Sequence, residues 1–186
     1  MSGPSLLKSL PNLISVGRLI LVPIVVAMVG QQAWGVAFAV FVIAGLSDAV
    51  DGFIAKRFNC RTELGAYLDP LADKALLVGV YITLGLQGHI PSWLVILVVF
   101  RDLLIIGGVL LLQTLGRRTV MAPLLVSKAN TAAQITFAVL ILAAHAFDLD
   151  DHGILFVLTF VVAATTLASG SAYLVKFVRQ LVEATT

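Results

Sequence analysis

The sequence has 186 residues, of which 60% are hydrophobic and 12% are charged, with a formal net charge of +2 and a mean hydropathy of +1.05. A soluble domain of this length cannot bury so much apolar surface in one core, so the composition excludes that class and predicts an integral membrane protein. The single cysteine, Cys60, excludes an intramolecular disulfide.

Six apolar stretches follow one another along the chain, each near the roughly 20 residues needed to cross about 30 Å of hydrocarbon. They cover residues 12–29, 33–55, 65–86, 93–115, 128–146 and 153–177. The connections are short, so we expect one all-α domain over residues 1–186, a bundle of six transmembrane helices. The first ten residues contain no small-residue cleavage site, and no removable signal peptide is expected.

Basic residues occur in alternate connections, which predicts the orientation of the chain. Basic residues lie before the first stretch (Lys8), between the second and third (Lys56, Arg57 and Arg61), after the fourth (Arg117 and Arg118) and at the end of the sixth (Lys176 and Arg179). The other three connections contain neither Lys nor Arg. Because short basic loops stay in the cytoplasm, both termini are predicted to be cytoplasmic.

Four aspartates interrupt the apolar pattern in the stretch "SDAVDGFIAKRFNCRTELGAYLDPLADKA". Asp48 and Asp51 lie near the cytoplasmic end of the second stretch, and Asp69 and Asp73 near the cytoplasmic start of the third. Spacings of three and four residues put each pair on one helix face, so the pairs should face each other across a helical hairpin. Small residues on these faces leave room for a ligand, namely Gly52, Ala55 and Gly65.

This acidic cluster predicts a bound cation. An aspartate at the centre of a transmembrane helix costs about 2.5–3.5 kcal/mol to insert, and four converging carboxylates also repel one another. Oxygen ligands without His or Cys favour Mg²⁺ or Mn²⁺, and more than three carboxylates suit two ions better than one. The alternative is a buried ion network with basic side chains nearby, namely Arg18, Lys56, Arg57 or Lys74.

The cluster and its neighbours resemble the signature of the CDP-alcohol phosphatidyltransferase family, reading Asp48-x-x-Asp51-Gly52-x-x-Ala55-Lys56, eight residues, then Gly65-x-x-x-Asp69-x-x-x-Asp73. The family usually has arginine where this chain has Lys56, followed here by Arg57. A lysine lacks the bidentate fork of arginine. The resemblance extends over nearly the whole chain, because the family also has six spans with this hairpin as the second and third.

The resemblance implies a reaction and a set of site residues. Family members transfer the phosphatidyl group of a CDP-linked alcohol, commonly CDP-diacylglycerol, to an acceptor hydroxyl and release CMP. Asp48, Asp51 and Asp69 would then hold two divalent cations, Mg²⁺ or Mn²⁺, and Asp73 would be the general base. The remaining motif residues would contact substrate, with space for the cytidine and cations for phosphate: Gly52, Ala55, Lys56, Arg57 and Gly65.

Four further polar residues within the apolar stretches are candidates for substrate binding. Arg18 is predicted to contact the diphosphate, with snorkelling to the interface as the alternative. Asn12 either caps the first helix or touches substrate. Arg101, beside Asp102 in the middle of the fourth stretch, either forms an internal ion pair or binds the acceptor. Lys128 either binds an acceptor phosphate or anchors the fifth helix.

The acceptor is a choice between two branches of the family. Stretches such as "LGAYLDPLADKALL" and "VSKANTAAQ" look like the cardiolipin synthase branch, which implies phosphatidylglycerol as the acceptor. The alternative is a phosphatidylglycerophosphate synthase that uses glycerol 3-phosphate. The resemblance further implies a homodimer, and the small residues of "TTLASGSAY" predict a close helix contact with an unspecified neighbour. Membrane lipids are expected partners, and no nucleic-acid partner is predicted.

A divalent-cation transporter is the alternative from a different functional class, because intramembrane carboxylates also line ion pathways. Transport would predict acidic residues continuing towards the outer face, or an inverted repeat of spans. The outer halves of the stretches are almost purely apolar, and the charged positions of the two halves of the chain do not match. We therefore expect an enzyme of the bacterial inner membrane with its active site facing the cytoplasm.

Overall fold

The computed structural model describes residues 3–57, 63–114, 124–150 and 153–182. Six α-helices and no strand occur in these ranges, which confirms the all-α class. The helices are α1 (Gly3–Gly30), α2 (Trp34–Arg57), α3 (Glu63–Leu86), α4 (Ser92–Thr114), α5 (Leu125–Ala146) and α6 (Ile154–Val182).

The four middle helices begin and end within three residues of the predicted stretches, whereas the outer two helices are longer than predicted. Helix α1 begins nine residues before residue 12, and α6 continues five residues past residue 177. The prediction followed apolar side chains, but helical backbone hydrogen bonds continue into the more polar flanking residues. Hydropathy therefore located the apolar part of α1 and of α6 and not their full length.

Three helices are long and apolar enough to cross a membrane, which identifies the chain as a membrane protein. Within the described residues these segments are Ser92–Leu112, Leu125–Ala146 and Ile154–Gln180, and shorter apolar segments are Ile14–Gly30 and Trp34–Asp48. The count of six spans, the cytoplasmic termini and the single domain stay predictions. Three basic residues used for the orientation lie outside the described residues: Arg61, Arg117 and Arg118.

The chain divides into two compact units. The first holds Met1–Gln87 and Ala138–Asp150, and the second holds Gly88–Phe137 and Asp151–Thr186. In the first unit, α1 packs against both α2 and α3. A Cβ atom at Gly79 of α3 would lie 2.9 Å from a methyl group of Val26 in α1. Glycine therefore permits this close approach of the two helices.

One end of the first unit is fastened by tight turns and side-chain contacts. Gln32 (φ 58°) follows α1 in a turn whose hydrogen bonds follow the Schellman pattern. The side-chain amide of Gln87, just after α3, donates to the last two carbonyl groups of α1. The rings of Trp34 and His145 meet edge to face at 4.5 Å between centroids. The start of α2 and the ends of α1, α3 and α5 therefore lie together.

In the second unit, α4 packs against α6. Leu112 of α4 is buried with Tyr173 and Phe177 of α6. A Cβ atom at Gly108 would overlap the ring of Phe177, whereas the adjacent Gly107 has open space around its Cα. The packing of α6 on this part of α4 therefore depends on the missing side chain of Gly108.

These adjacent glycines give a matched test of the α4–α6 contact. We expect Gly108→Ala to destabilise the protein by about 1–3 kcal/mol, because the Phe177 ring must move from its packed position. Gly107→Ala should be neutral, or stabilising by up to about 1 kcal/mol through helix propensity. Thermal unfolding of the two purified variants in the same detergent measures the difference. Equal unfolding temperatures would contradict the observed packing.

Candidate functional site

Three charged side chains from three helices meet in the first unit. They are Arg18 of α1, Asp48 of α2 and Asp73 of α3. Each lies about twelve to fourteen residues, or about 18–21 Å at 1.5 Å per residue, from the end of its helix that is fastened near Gln87. The antiparallel course of α2 relative to its neighbours therefore brings the three side chains to the same depth.

One nitrogen atom joins the two carboxylates. Arg18 Nη1 lies 2.6 Å from Asp48 Oδ1 and also donates to Asp73 Oδ1. The Arg18 side chain is fully buried, whereas 42% of the Asp48 and 45% of the Asp73 side-chain surface is exposed. The guanidinium group is thus held on the inner side of the two carboxylates, and both carboxylates remain accessible from outside.

The charges of this trio favour a further cation. One guanidinium and two carboxylates leave a net charge of −1 when all three are ionised, and Asp51 and Asp69 lie nearly one helical turn from Asp48 and Asp73. Carboxylate oxygens are ligands that Mg²⁺ and Mn²⁺ accept. The carboxylate oxygens of Asp48 in α2 and Asp73 in α3 already hold one cation, the Arg18 guanidinium, between them. These oxygens therefore fit the ligand preference of a divalent ion.

The ion network weighed as an alternative to a metal site is therefore present in part, through Arg18. Its presence does not exclude a metal ion, because two described carboxylates exceed the charge of one guanidinium. The sequence reasoning placed the aspartates across a hairpin of two helices. The structure adds α1 as the third helix, and the pairing of Arg18 with both carboxylates is what the sequence pattern did not specify.

Most motif residues are described only as positions along helices. Their backbones lie in α1, α2 or α3, and their side chains lie outside the part of the structure that is described: Asn12, Asp51, Gly52, Ala55, Lys56, Arg57, Gly65 and Asp69. Among the described side chains no group of three or more His, Cys, Asp or Glu gathers around one point. The predicted roles of these residues stay predictions.

A second polar cluster surrounds Arg101 in the second unit. Its guanidinium donates to Asp102 Oδ1 at 2.7 Å, to Ser169 Oγ through Nε at 3.1 Å, and to Ser127 Oγ. The guanidinium carbon also lies 5.8 Å from the ring centre of Tyr173. Arg101 and Asp102 are both buried. Arg101 therefore joins α4 to the start of α5 and to α6, as the predicted internal ion pair requires.

Asn130 of α5 extends the contact between α5 and α6. Its side-chain oxygen accepts hydrogen bonds from the hydroxyl groups of Thr165 at 3.0 Å and Thr166 at 2.8 Å. Lys128, two residues before Asn130 on α5, is exposed. The sequence analysis missed Ser127, Asn130 and the threonines, although hydroxyl and amide groups in apolar helices are a usable signal.

The small residues of "TTLASGSAY" predicted a close helix contact, and this contact occurs within the second unit of the same chain. Ser169 is buried against Arg101, and a Cβ atom at Gly170 would make an ordinary 3.6 Å contact with the stem of Arg101. Small side chains let α6 approach the arginine stem and leave its guanidinium free to turn towards hydroxyl groups. The homodimer stays a prediction.

Comparisons of the whole sequence with known proteins identify its relatives. The sequence profile described as CDP-alcohol phosphatidyltransferase matches residues 8–171. A human relative, "Cardiolipin synthase (CMP-forming)", is 35% identical over 191 residues, covering 92% of this chain and 64% of the relative. A rice (Oryza sativa subsp. japonica) relative, "CDP-diacylglycerol--glycerol-3-phosphate 3-phosphatidyltransferase 1, chloroplastic", is 34% identical over 187 residues, covering 91% and 57%.

A bacterial relative matches over a shorter range with higher identity. The "Putative cardiolipin synthase" of Mycobacterium tuberculosis is 42% identical over 111 residues, which cover 58% of this chain and 52% of the relative. In all three comparisons the matched region spans less than two thirds of the relative's own length.

Proposed function

Because this chain belongs to the CDP-alcohol phosphatidyltransferase family, we propose that it transfers the phosphatidyl group of CDP-diacylglycerol to an acceptor hydroxyl and releases CMP. The observation that carries the proposal is the meeting of Asp48 and Asp73 around one cation, at an accessible site built from the two helices that bear the family signature. A family match alone would not show that these carboxylates converge.

The proposed reaction needs one proton acceptor. The acceptor oxygen forms a bond to the phosphorus of the phosphatidyl group, and the bond from that phosphorus to the oxygen shared with CMP breaks. CMP leaves with that oxygen, and the hydroxyl proton passes to Asp73. The half-exposed carboxylate of Asp73 is accessible to an acceptor hydroxyl, and its bond to Arg18 keeps it oriented.

The diphosphate carries negative charge that the site must neutralise. We propose that Asp48, Asp51 and Asp69 hold two divalent cations, Mg²⁺ or Mn²⁺. Such ions would supply charge stabilisation at the diphosphate and at the departing phosphate. Support for this proposal comes from the signature spacing and from the accessible, cation-binding carboxylate of Asp48.

The remaining substrate contacts are proposed from their positions along α1, α2 and α3. Arg18, Lys56 and Arg57 would contact the diphosphate, and Gly52 would leave room for the cytidine. Asn12, Ala55 and Gly65 complete the proposed substrate-binding residues. All of these residues lie in α1, or in α2 and α3, which both pack against α1 in the first unit.

We propose phosphatidylglycerol as the acceptor, which makes cardiolipin the product. Relatives named cardiolipin synthase support this choice, including the human protein at 35% identity. The rice relative, whose name includes glycerol 3-phosphate, supports that compound as the alternative acceptor at 34% identity. Arg101 and Lys128 would bind the acceptor phosphate in either case. Exposure of Lys128 is compatible with that role, while the hydrogen bonds of Arg101 favour a structural contribution.

We place the proposed site at the cytoplasmic face of a bacterial inner membrane. The support is the alternation of basic connections, which predicts cytoplasmic ends for the helices that carry the aspartates. A homodimer surrounded by membrane lipids is proposed from the family resemblance.

A product assay on the purified full chain tests the proposed function. CDP-diacylglycerol with Mg²⁺ or Mn²⁺ is offered phosphatidylglycerol or glycerol 3-phosphate in separate reactions, with an acceptor-free reaction to correct for hydrolysis. We expect cardiolipin and an equal amount of CMP in the first reaction. Phosphatidylglycerophosphate in the second reaction alone would keep the chemistry and change the acceptor. No CMP in either reaction, together with Mn²⁺ uptake into protein-containing vesicles, would instead support the transporter.

A further inference from the structure

The position of Arg18 points to a second role besides the proposed contact with the diphosphate. Its Nη1 atom is shared by carboxylates that lie 25 residues apart in the sequence, Asp48 and Asp73. An arginine that only snorkelled to the interface would not be fully buried. Arg18 instead occupies the inner side of the acidic site, where it supplies the positive charge that the two carboxylates share.

We infer that Arg18 is an internal counter-ion that competes with a divalent cation for Asp48 and keeps the metal-free site folded. The inference deepens the proposed function and rests on its assignment of a divalent ion to this acidic site. It concerns how readily the ion enters, which the family signature does not specify.

The geometry explains why the two cations compete. Asp48 Oδ1 lies 2.6 Å from Arg18 Nη1, and a Mg²⁺ ligand oxygen lies about 2.0–2.1 Å from its ion. A divalent ion on the same oxygen would therefore lie within a few ångströms of a fully buried guanidinium. Like charges at that separation repel strongly where little water screens them. Binding at this oxygen is thus favoured when the guanidinium withdraws from Asp48.

Asp73 provides a place for the displaced guanidinium. Because Arg18 already donates to Asp73 Oδ1, it can leave Asp48 and still keep one charged partner. A buried arginine with no carboxylate partner would be strongly unfavourable. When Arg18 leaves Asp48, the Asp48 carboxylate becomes available to the divalent ion. The Arg18–Asp73 pair stays in place and keeps the proposed base oriented.

The test measures Mn²⁺ binding by electron paramagnetic resonance at one fixed pH. The full chain is purified in lipid nanodiscs and stripped of metal with EDTA, and Arg18→Met is compared with the parent. Lys176→Met is the matched control, since it removes one positive charge from α6 in the other unit. Mn²⁺ binding that is lost in Asp48→Asn is assigned to the acidic site. Unfolding temperatures with EDTA and with Mn²⁺ give a second readout.

We expect Arg18→Met to bind Mn²⁺ at least about tenfold more tightly than the parent, because a competing charge has been removed. Its unfolding temperature should fall in EDTA and rise more on adding Mn²⁺ than that of the parent. Arg18→Lys, which keeps the charge, should bind Mn²⁺ less tightly than Arg18→Met. Lys176→Met should match the parent in both measurements.

Unchanged or weaker Mn²⁺ binding by Arg18→Met would overturn the inference, because Arg18 would then not compete with the ion for Asp48. If Arg18→Met does not fold even with Mn²⁺, Arg18→Gln, which keeps a hydrogen-bond donor without the charge, must show the tighter binding. Absence of Asp48-dependent binding in the parent would also refute the inference. If Arg18→Met binds Mn²⁺ more tightly but the parent protein releases no CMP in the product assay, the inference is upheld and the proposed function is refuted.

Discussion

Asp73→Asn should release CMP at least about 100-fold more slowly than the parent, since general-base catalysis typically contributes 10²–10⁴-fold. Asparagine has nearly the same shape, and its side-chain oxygen can still accept the hydrogen bond from Arg18 that Asp73 accepts now. The substitution therefore removes the proton acceptor while leaving the packing of α1 against α3 in place. Initial rates of CMP release from CDP-diacylglycerol measure the effect.

Two controls separate loss of the base from loss of the site. Mn²⁺ binding should persist in Asp73→Asn, because the proposed metal ligands are other aspartates. It should be weaker than in the parent, because Arg18 loses the carboxylate that receives it when it leaves Asp48. Asp148→Asn removes a carboxylate from an exposed turn after α5, where asparagine also tolerates the positive φ of 51°. That variant should keep its rate. Undiminished turnover by Asp73→Asn would show that another group receives the proton.

Arg101→Met should destabilise the protein by about 3–5 kcal/mol, the usual cost of removing one partner from a buried ion pair. The substitution leaves the buried carboxylate of Asp102 without its guanidinium partner and removes the links to Ser127 and Ser169. Chemical unfolding in detergent measures the change. Lys128→Met, which removes an exposed cation from α5, should leave stability unchanged.

A second substitution distinguishes the two roles considered for Arg101. Replacing the pair together, as Arg101→Met with Asp102→Leu, should recover most of the lost stability, because no buried charge remains. If Arg101 also binds the acceptor, the KM of this double variant for the acceptor should be higher than that of the parent, although its stability is recovered. A single Arg101→Met variant as stable as the parent would contradict the structural role.

The helices and the depth of the acidic site could be predicted because they depend on local patterns. Apolar runs located all six helices, and spacings of three and four residues placed each aspartate pair along one turn of α2 or α3. Short connections then brought Asp48 and Asp73 to a common depth. Such inferences need only the rise and period of a helix, and the structure confirms the helical spacing on which they depend.

The second unit illustrates a limit of these local patterns. The sequence identified Arg101 and Asp102 as a charged pair within an apolar helix, and separately marked small residues near Ser169. It did not connect them, because Arg101 and Ser169 are 68 residues apart. A helical period shows which residues share a face, but it does not show which other helix that face contacts.

The sequence by itself determined the class of protein, the family signature and the helices that bear it. Tertiary structure decided that Arg18 meets the carboxylates of Asp48 and Asp73, whereas by sequence it was one of four basic residues within reach of the acidic cluster. Packing of α1 against both α2 and α3 brings the buried Arg18 to Asp48 and Asp73. Such a partner depends on contacts between helices distant in sequence, and the spacing of residues within one helix does not encode them.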